Sequence, residues 1–176
     1  MPTVEEARLF EQMMTYREEI FQICLGFSRN ASDAEDLAQE VYLRAYKNVA
    51  KIHSPYAVKE WLVRVARNTC LDHQKKRKVV RVFQTRALAP EVRSGLPEPP
   101  NPEESEERLR ALKEAIGRLP DRLREIFVLR MYGDMSYRDL ARTLRIREGT
   151  VMSRLNRARA AVACSVKEAL HDRKTG

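Results

Sequence analysis

The segment GTVMSRLNRARA, residues 149–160, carries two kinds of residue at once. Arg154, Arg157 and Arg159 supply guanidinium groups, with Ser153 and Asn156 between them. Arginine can give two hydrogen bonds to guanine O6 and N7, asparagine can pair with adenine, and serine can serve either base. A guanidinium also suits phosphate, whose neutralisation releases condensed counterions. The chemistry on offer is the reading of nucleic acid. Threaded through are Val151, Leu155 and Ala158. At about 100° per residue these three and Val162 share one arc. Gly149, Met152, Ser153, Asn156 and Ala160 share the opposite arc, with Arg157 and Arg159 on its shoulders. No acid occurs from Gly149 to Val166. A basic surface helix resting on a core has the same wheel, so this segment alone leaves both readings open.

The residues upstream decide between them. In MSYRDLARTLRIREGT, Ser136 precedes Asp139 by three positions, close to a capping box that starts a helix. Tyr137, Leu140, Ala141 and Leu144 supply its buried face. Arg145–Arg147 forms a short turn, and Glu148 and Gly149 open the next helix. A short helix, a tight turn and a second helix with a basic outer face make a helix-turn-helix. Ser136 to Ala160 holds seven arginines and two acids. Such a surplus suits phosphate contact.

The elements that must position this motif follow from the whole chain. It has 176 residues, a net charge of +8 and 43% apolar residues. That length allows one or two small domains, and the basic balance favours an acidic partner. No apolar run approaches the ~20 residues that span a bilayer. The N-terminal MPTVEEARLFEQ lacks a signal-peptide core. Cys24, Cys70 and Cys164 form no CxxC and read as buried or semi-buried thiols in a reducing cytoplasm. His53, His73 and His171 are equally scattered. Neither metal nor cofactor is expected.

Residues 3–80 and 105–172 read as helical, and no stretch alternates as a strand would. LAPEVRSGLPEPPNPEE, within residues 86–104, holds five prolines and one glycine, too many for a regular element. The expectation is an all-α chain of two small helical domains, residues 1–85 and 105–176, joined by a Pro/Glu-rich linker at 86–104.

The first domain has its own signals. Phe10, Met13, Met14, Ile20, Phe21, Cys24 and Leu25 follow helical spacing. SDAEDLAQEVYLRAYKN opens with a capping box from Ser32 to Glu35 and buries Leu37, Val41 and Ala45. Asp33, Asp36, Gln39, Glu40 and Arg44 lie outside that face. Ser54 and Pro55 suit the start of a third helix. Its apolar positions are Val58, Leu62, Val65, Ala66 and Thr69. Arg64, Arg67, Asn68, Lys75, Lys76, Arg77 and Lys78 form a long, largely cationic continuation. Trp61 and Tyr56 beside these cations suit stacked single-stranded bases; Trp61 as the domain's largest core residue is the alternative.

DAEDLAQEVYLRAYKN, WLVRVARNTCLDHQKKRK and LPDRLREIFVLRMYGDMSYRDLARTLRIREGTVMSRLNRARAAV, in that order, resemble successive regions of an extracytoplasmic-function sigma factor of the sigma-70 family. The resemblance implies a non-enzymatic initiation factor that binds core RNA polymerase and recognises promoter −35 and −10 elements. It implies polymerase docking by Asp36, Gln39, Glu40 and Arg44. It implies −10 recognition and melting by Lys51, Ile52, His53, Ser54, Tyr56, Trp61, Arg64, Arg67, Asn68, Lys75, Lys76 and Arg77. The loop Lys51–Tyr56 would capture a flipped base, which must leave the stack before its edge can be read. Its Ile-His-Ser-Pro stands where many members have an aromatic-Arg-Gly sequence. The −35 contacts would come from Arg130, Tyr137, Arg147, Thr150, Met152, Ser153, Arg154, Asn156 and Arg157. The linker, with Glu98, Glu103, Glu104, Glu106 and Glu107, would thread into the polymerase cleft; a plain flexible tether accounts for the same composition equally well. An anti-sigma factor is a further implied partner. Two other classes remain: a stand-alone helix-turn-helix regulator whose N-terminal domain senses a ligand or dimerises, and an enzyme with a basic cleft, for which the scattered His and Cys offer no constellation.

Overall fold

The computed structural model describes residues 3–52, 57–83 and 102–172. Among these there are eight α-helices and no strand: α1 Val4–Met14, α2 Arg17–Ser28, α3 Ala31–Lys47, α4 Val58–Phe83, α5 Pro102–Arg118, α6 Asp121–Met131, α7 Tyr137–Leu144 and α8 Glu148–Asp172. A 3-10 turn, Val49–Lys51, follows α3. The chain divides into two compact units, Met1–Val92 with Met131–Met135, and Arg93–Arg130 with Ser136–Gly176.

In the first unit α2, α3 and α4 pack on one another, with α1 against α4. Leu9, Met13, Ile20, Ile23, Cys24, Leu37, Val41, Ala45, Val58, Leu62 and Ala66 are buried. The apolar stripe expected from Phe10 to Leu25 is broken into two helices at Thr15 and Tyr16. Thr15 donates its hydroxyl to the Gln12 carbonyl at 2.7 Å and ends α1. Thr3 and Glu6 close a capping box at the start of α1. The cap of α3 differs from the expectation. Asn30, in extended conformation, accepts the Asp33 N–H at 3.0 Å, so Ser32 lies inside the helix. Asparagine caps as well as serine, and the cap that leaves more helix paired wins. Tyr42 donates to the Met13 carbonyl at 3.3 Å and ties α3 to α1. Burial pushes its phenol up to about 12.

Cys24 and Cys70 are buried with their sulfurs 3.8 Å apart. The contact with Cys24, then burial, raises the Cys70 thiol well above its ordinary value, which keeps it protonated and unreactive. Cys164 is exposed rather than semi-buried, beside the Glu168 carboxylate, because it falls outside the buried arc of α8.

In the second unit α8 packs on α5 and α7. α5 begins at Pro102, inside the stretch expected to be irregular; proline is well tolerated in a helix's first turn. Ser136 caps α7 through the Asp139 N–H at 3.1 Å, as its spacing predicts. Arg145 ends α7 in the left-handed region at φ 54°. Arg124 is buried, with its guanidinium on the Gly117 carbonyl at 3.3 Å and the Leu119 carbonyl at 3.1 Å. Its other end meets the Asp121 carboxylate at 2.5 Å. It thereby satisfies carbonyls at the end of α5 while sitting in α6. Nothing in the local sequence pattern marks it out. Arg124→Met keeps the volume but strands these acceptors, so it should cost about 2–3 kcal/mol in urea unfolding.

Candidate nucleic-acid and polymerase interfaces

α8 presents the base-reading candidates. Val151, Leu155, Ala158 and Val162 are buried. Met152, Ser153, Asn156 and Arg157 are exposed on the other side, Met152 by 50%. The Ser153 hydroxyl donates to the Thr150 carbonyl at 3.1 Å, which leaves its oxygen lone pairs for an incoming donor. Arg157 Nε rests 3.5 Å from the Ser153 carbonyl, with the rest of the guanidinium outward. Arg154 is half-buried at the edge of the packed face. Arg147 is exposed at the start of the helix, and its carbonyl receives the Thr150 and Val151 N–H groups. A Cβ added to Gly149 would meet nothing within 4 Å, so packing does not demand glycine there. Arg130 lies over the Tyr137 ring at 5.8 Å, which brings these two flank candidates together.

In the first unit, Asp36 and Gln39 are exposed and Glu40 half-buried along one stripe of α3. Leu43, 57% exposed, continues that stripe and escaped the sequence reading. Tyr46, 49% exposed, meets Phe10 edge-on with ring centroids 5.3 Å apart. Arg44 leaves the stripe. It lies about 80° round the helix from Asp36, on the shoulder towards α4. Its Nε meets Glu40 at 2.7 Å and its Nη1 meets Asp72 of α4 at 3.2 Å. These hydrogen bonds, Glu40 first, raise its affinity for its proton further.

Arg44, Asn48, Lys51, Trp61, Val65 and Asn68 line a depression of about 300 Å³ between α3 and α4. Trp61 is half-buried in its wall, not sealed in the core. Trp61, Val65, Asn68 and Asp72 fall on one stripe of α4, a spacing that could have added Asp72. Asn48 also joins the site; its amide donates to the Arg44 carbonyl at 2.8 Å. Ile52, next to Lys51 in the sequence, is half-buried. Arg64 pairs with Glu60, and Arg77 pairs with Asp33 of α3. Arg67 Nη1 lies 3.4 Å from Asn68 Oδ1. Lys75 and Lys76 are exposed. His53, Ser54 and Tyr56 lie outside the described residues, as does most of the linker. Among the described residues no group of His, Cys, Asp or Glu could hold a metal ion, and no helix is long and apolar enough to cross a membrane.

Two family models match in order: sigma-70 region 2 over residues 13–79 and sigma-70 region 4 over residues 109–162. The chain is 30% identical over 162 residues to the ECF RNA polymerase sigma factor SigW of Bacillus subtilis, covering 87% of this chain and 86% of the relative. This chain belongs to the ECF family of RNA polymerase sigma factors. It is also 29% identical over 175 residues to the RNA polymerase sigma-H factor of Pseudomonas aeruginosa, covering 95% of this chain and 91% of that one. The sigma factor RpoE of Bartonella quintana, solved in complex with the anti-sigma factor NepR, shares its fold with a TM-score of 0.69 at 23% identity, over 89% of this chain and 95% of that one. As an ECF sigma factor it works with core RNA polymerase and promoter DNA in transcription initiation. The stand-alone regulator is not favoured.

Arg44 and Asp72 of this sigma factor are both part-exposed, so their bridge is worth little by itself. A double-mutant cycle on Arg44→Ala and Asp72→Ala should give a coupling of about 0.5 kcal/mol in thermal unfolding.

Proposed function

We propose a division of labour between the two units of this sigma factor. Residues 105–176 read the −35 duplex through Met152, Ser153, Asn156 and Arg157, with Arg130, Tyr137, Arg147, Thr150 and Arg154 on the flanking backbone. Residues 1–85 dock on polymerase through Asp36, Gln39, Glu40 and Leu43 of α3. They open the −10 region through the α3–α4 depression, with Lys51, Ile52, His53, Ser54, Tyr56, Trp61, Arg64, Arg67, Asn68, Lys75, Lys76 and Arg77. Arg44 braces the two helices. Residues 86–104 link the units. Catalysis belongs to the polymerase, and the chain acts in the cytoplasm.

The observation that carries this reading is the split of α8, with Val151, Leu155 and Ala158 buried and Met152, Ser153, Asn156 and Arg157 exposed. A helix packed on one side and polar on the other is the one that can enter a major groove. Anti-sigma control is supported by the solved RpoE–NepR relative. Run-off transcription from a matched promoter should require this chain in addition to core polymerase.

Two substitutions test the docking face. Asp36→Lys with Leu43→Ser changes only exposed side chains of α3. Affinity for core polymerase should fall at least tenfold with helical content unchanged; equal affinity would remove the face from the docking site.

Arg157 tests the base reading. A bidentate contact to guanine is worth about 1–3 kcal/mol of discrimination. Arg157→Ala should weaken the preferred promoter by that amount and leave variants at one −35 position nearly unaffected. Binding across a panel of −35 variants measures it, and an equal loss on every variant would move Arg157 to the backbone.

A further inference from the structure

Met152 is 50% exposed, although Val151 before it and Leu155 after it are buried. Among the described residues it is the only large apolar side chain exposed on α8. One apolar residue on a surface is ordinary. Its neighbours set Met152 apart. Ser153, Asn156 and Arg157 are exposed around it, and each can read a base edge by hydrogen bonds. Methionine cannot. A helical side chain leans over the turn before its own Cα. Met152 thus covers the start of α8 near Gly149, where an added Cβ would meet nothing within 4 Å. That open end of the helix is the one whose residues reach base edges in this motif.

We infer that Met152 sets specificity by packing on the 5-methyl group of a pyrimidine, in thymine or in 5-methylcytosine. The inference deepens the proposed reading of α8 as the base-facing helix and rests on it. In the major groove the four bases present donors, acceptors and one apolar feature, the thymine methyl. A thioether is a weak acceptor and no donor, so it discriminates poorly among polar edges. Against a bare donor or acceptor it displaces water and returns little. Against a methyl it buries apolar surface on both partners. Its three rotatable bonds let it meet that methyl without a shift of the backbone. Asn156 follows one turn later, about 6 Å along the helix axis, with Arg157 beside it. The helix therefore pairs two kinds of reading, methyl contact at its start and hydrogen bonding one turn on. 5-Methylcytosine carries its methyl at the same ring position as thymine, so the same contact would make a cytosine site sensitive to methylation.

The test uses holoenzyme assembled with core polymerase on a matched promoter. In one series each −35 thymine, on either strand, is replaced singly by deoxyuridine, which lacks only the methyl. In a second series each −35 cytosine is replaced singly by 5-methylcytosine. At one position loss of the methyl should weaken binding about fourfold, or its addition strengthen binding by the same factor. The series that responds names the source of the methyl. Met152→Leu should keep the effect and Met152→Gln should remove it at that position alone, with the unfolding midpoint of both variants unmoved. Arg157→Ala should keep it too. No methyl effect at any position, or an equal effect in Met152→Gln, overturns the inference; Arg157→Ala still losing selectivity would then leave the reading of α8 intact. If neither Met152→Gln nor Arg157→Ala alters promoter selectivity, the reading of α8 itself fails and this inference falls with it.

Discussion

The second unit depends on one helix that must satisfy two environments along its length. α8 runs for 25 residues without a break. Val151, Leu155, Ala158 and Val162 bury one face of it among the helices of its unit. Turning the helix by one residue, about 100°, would expose Leu155 and bring Asn156 or Arg154 towards the core. An unpaired charge buried there would cost several kcal/mol. The outward aim of Met152, Ser153, Asn156 and Arg157 is therefore set by packing on the far side. Their geometry is in place before any ligand arrives, so little ordering entropy is left to lose on binding.

The first unit uses a different arrangement. Its cohesion comes from the apolar seam of α2, α3 and α4, where Ala34, Ala45, Ala66 and the two touching thiols let the helices approach closely. The ion pairs across α3 and α4, Arg44 with Asp72 and Arg77 with Asp33, lie at the margin of that seam. Part-exposed pairs add little stability. Their effect is to orient. Arg44 lines the depression together with Trp61 and Asn68, and through Asp72 it braces α3 against α4 at that point.

What could be read from the sequence was what is local or periodic. The helix-turn-helix, the Ser136 cap and the two faces of α8 follow from spacing alone, and the structure has all of them. The Asn30 cap was missed because Asn30 and Ser32 both fit a cap and only packing chooses between them. Thr15 hides the break between α1 and α2, since the apolar spacing runs on through it. Arg124 was invisible for another reason. Its carbonyl partners carry no side-chain signature, so a buried arginine in α6 reads like any surface one. Leu43 was passed over because an apolar residue on an outer stripe violates the binary pattern, and such violations are where a partner surface is to be sought.

Pairing also redistributes the charge that a sequence reports as a single sum. In the first unit Arg44, Arg64 and Arg77 are each matched to a carboxylate. Two of their partners lie 28 and 44 residues away, beyond any window in which charge patterning is read. Among the described residues Lys51, Lys75 and Lys76 are not so matched. Among the described residues of the second unit, Arg138, Arg145 and Arg147 have no carboxylate partner. Unmatched cations of this kind attract DNA at long range, steer encounter and are screened by salt. The depression beside Trp61 carries amides and a braced guanidinium, groups whose hydrogen bonds act only at contact range.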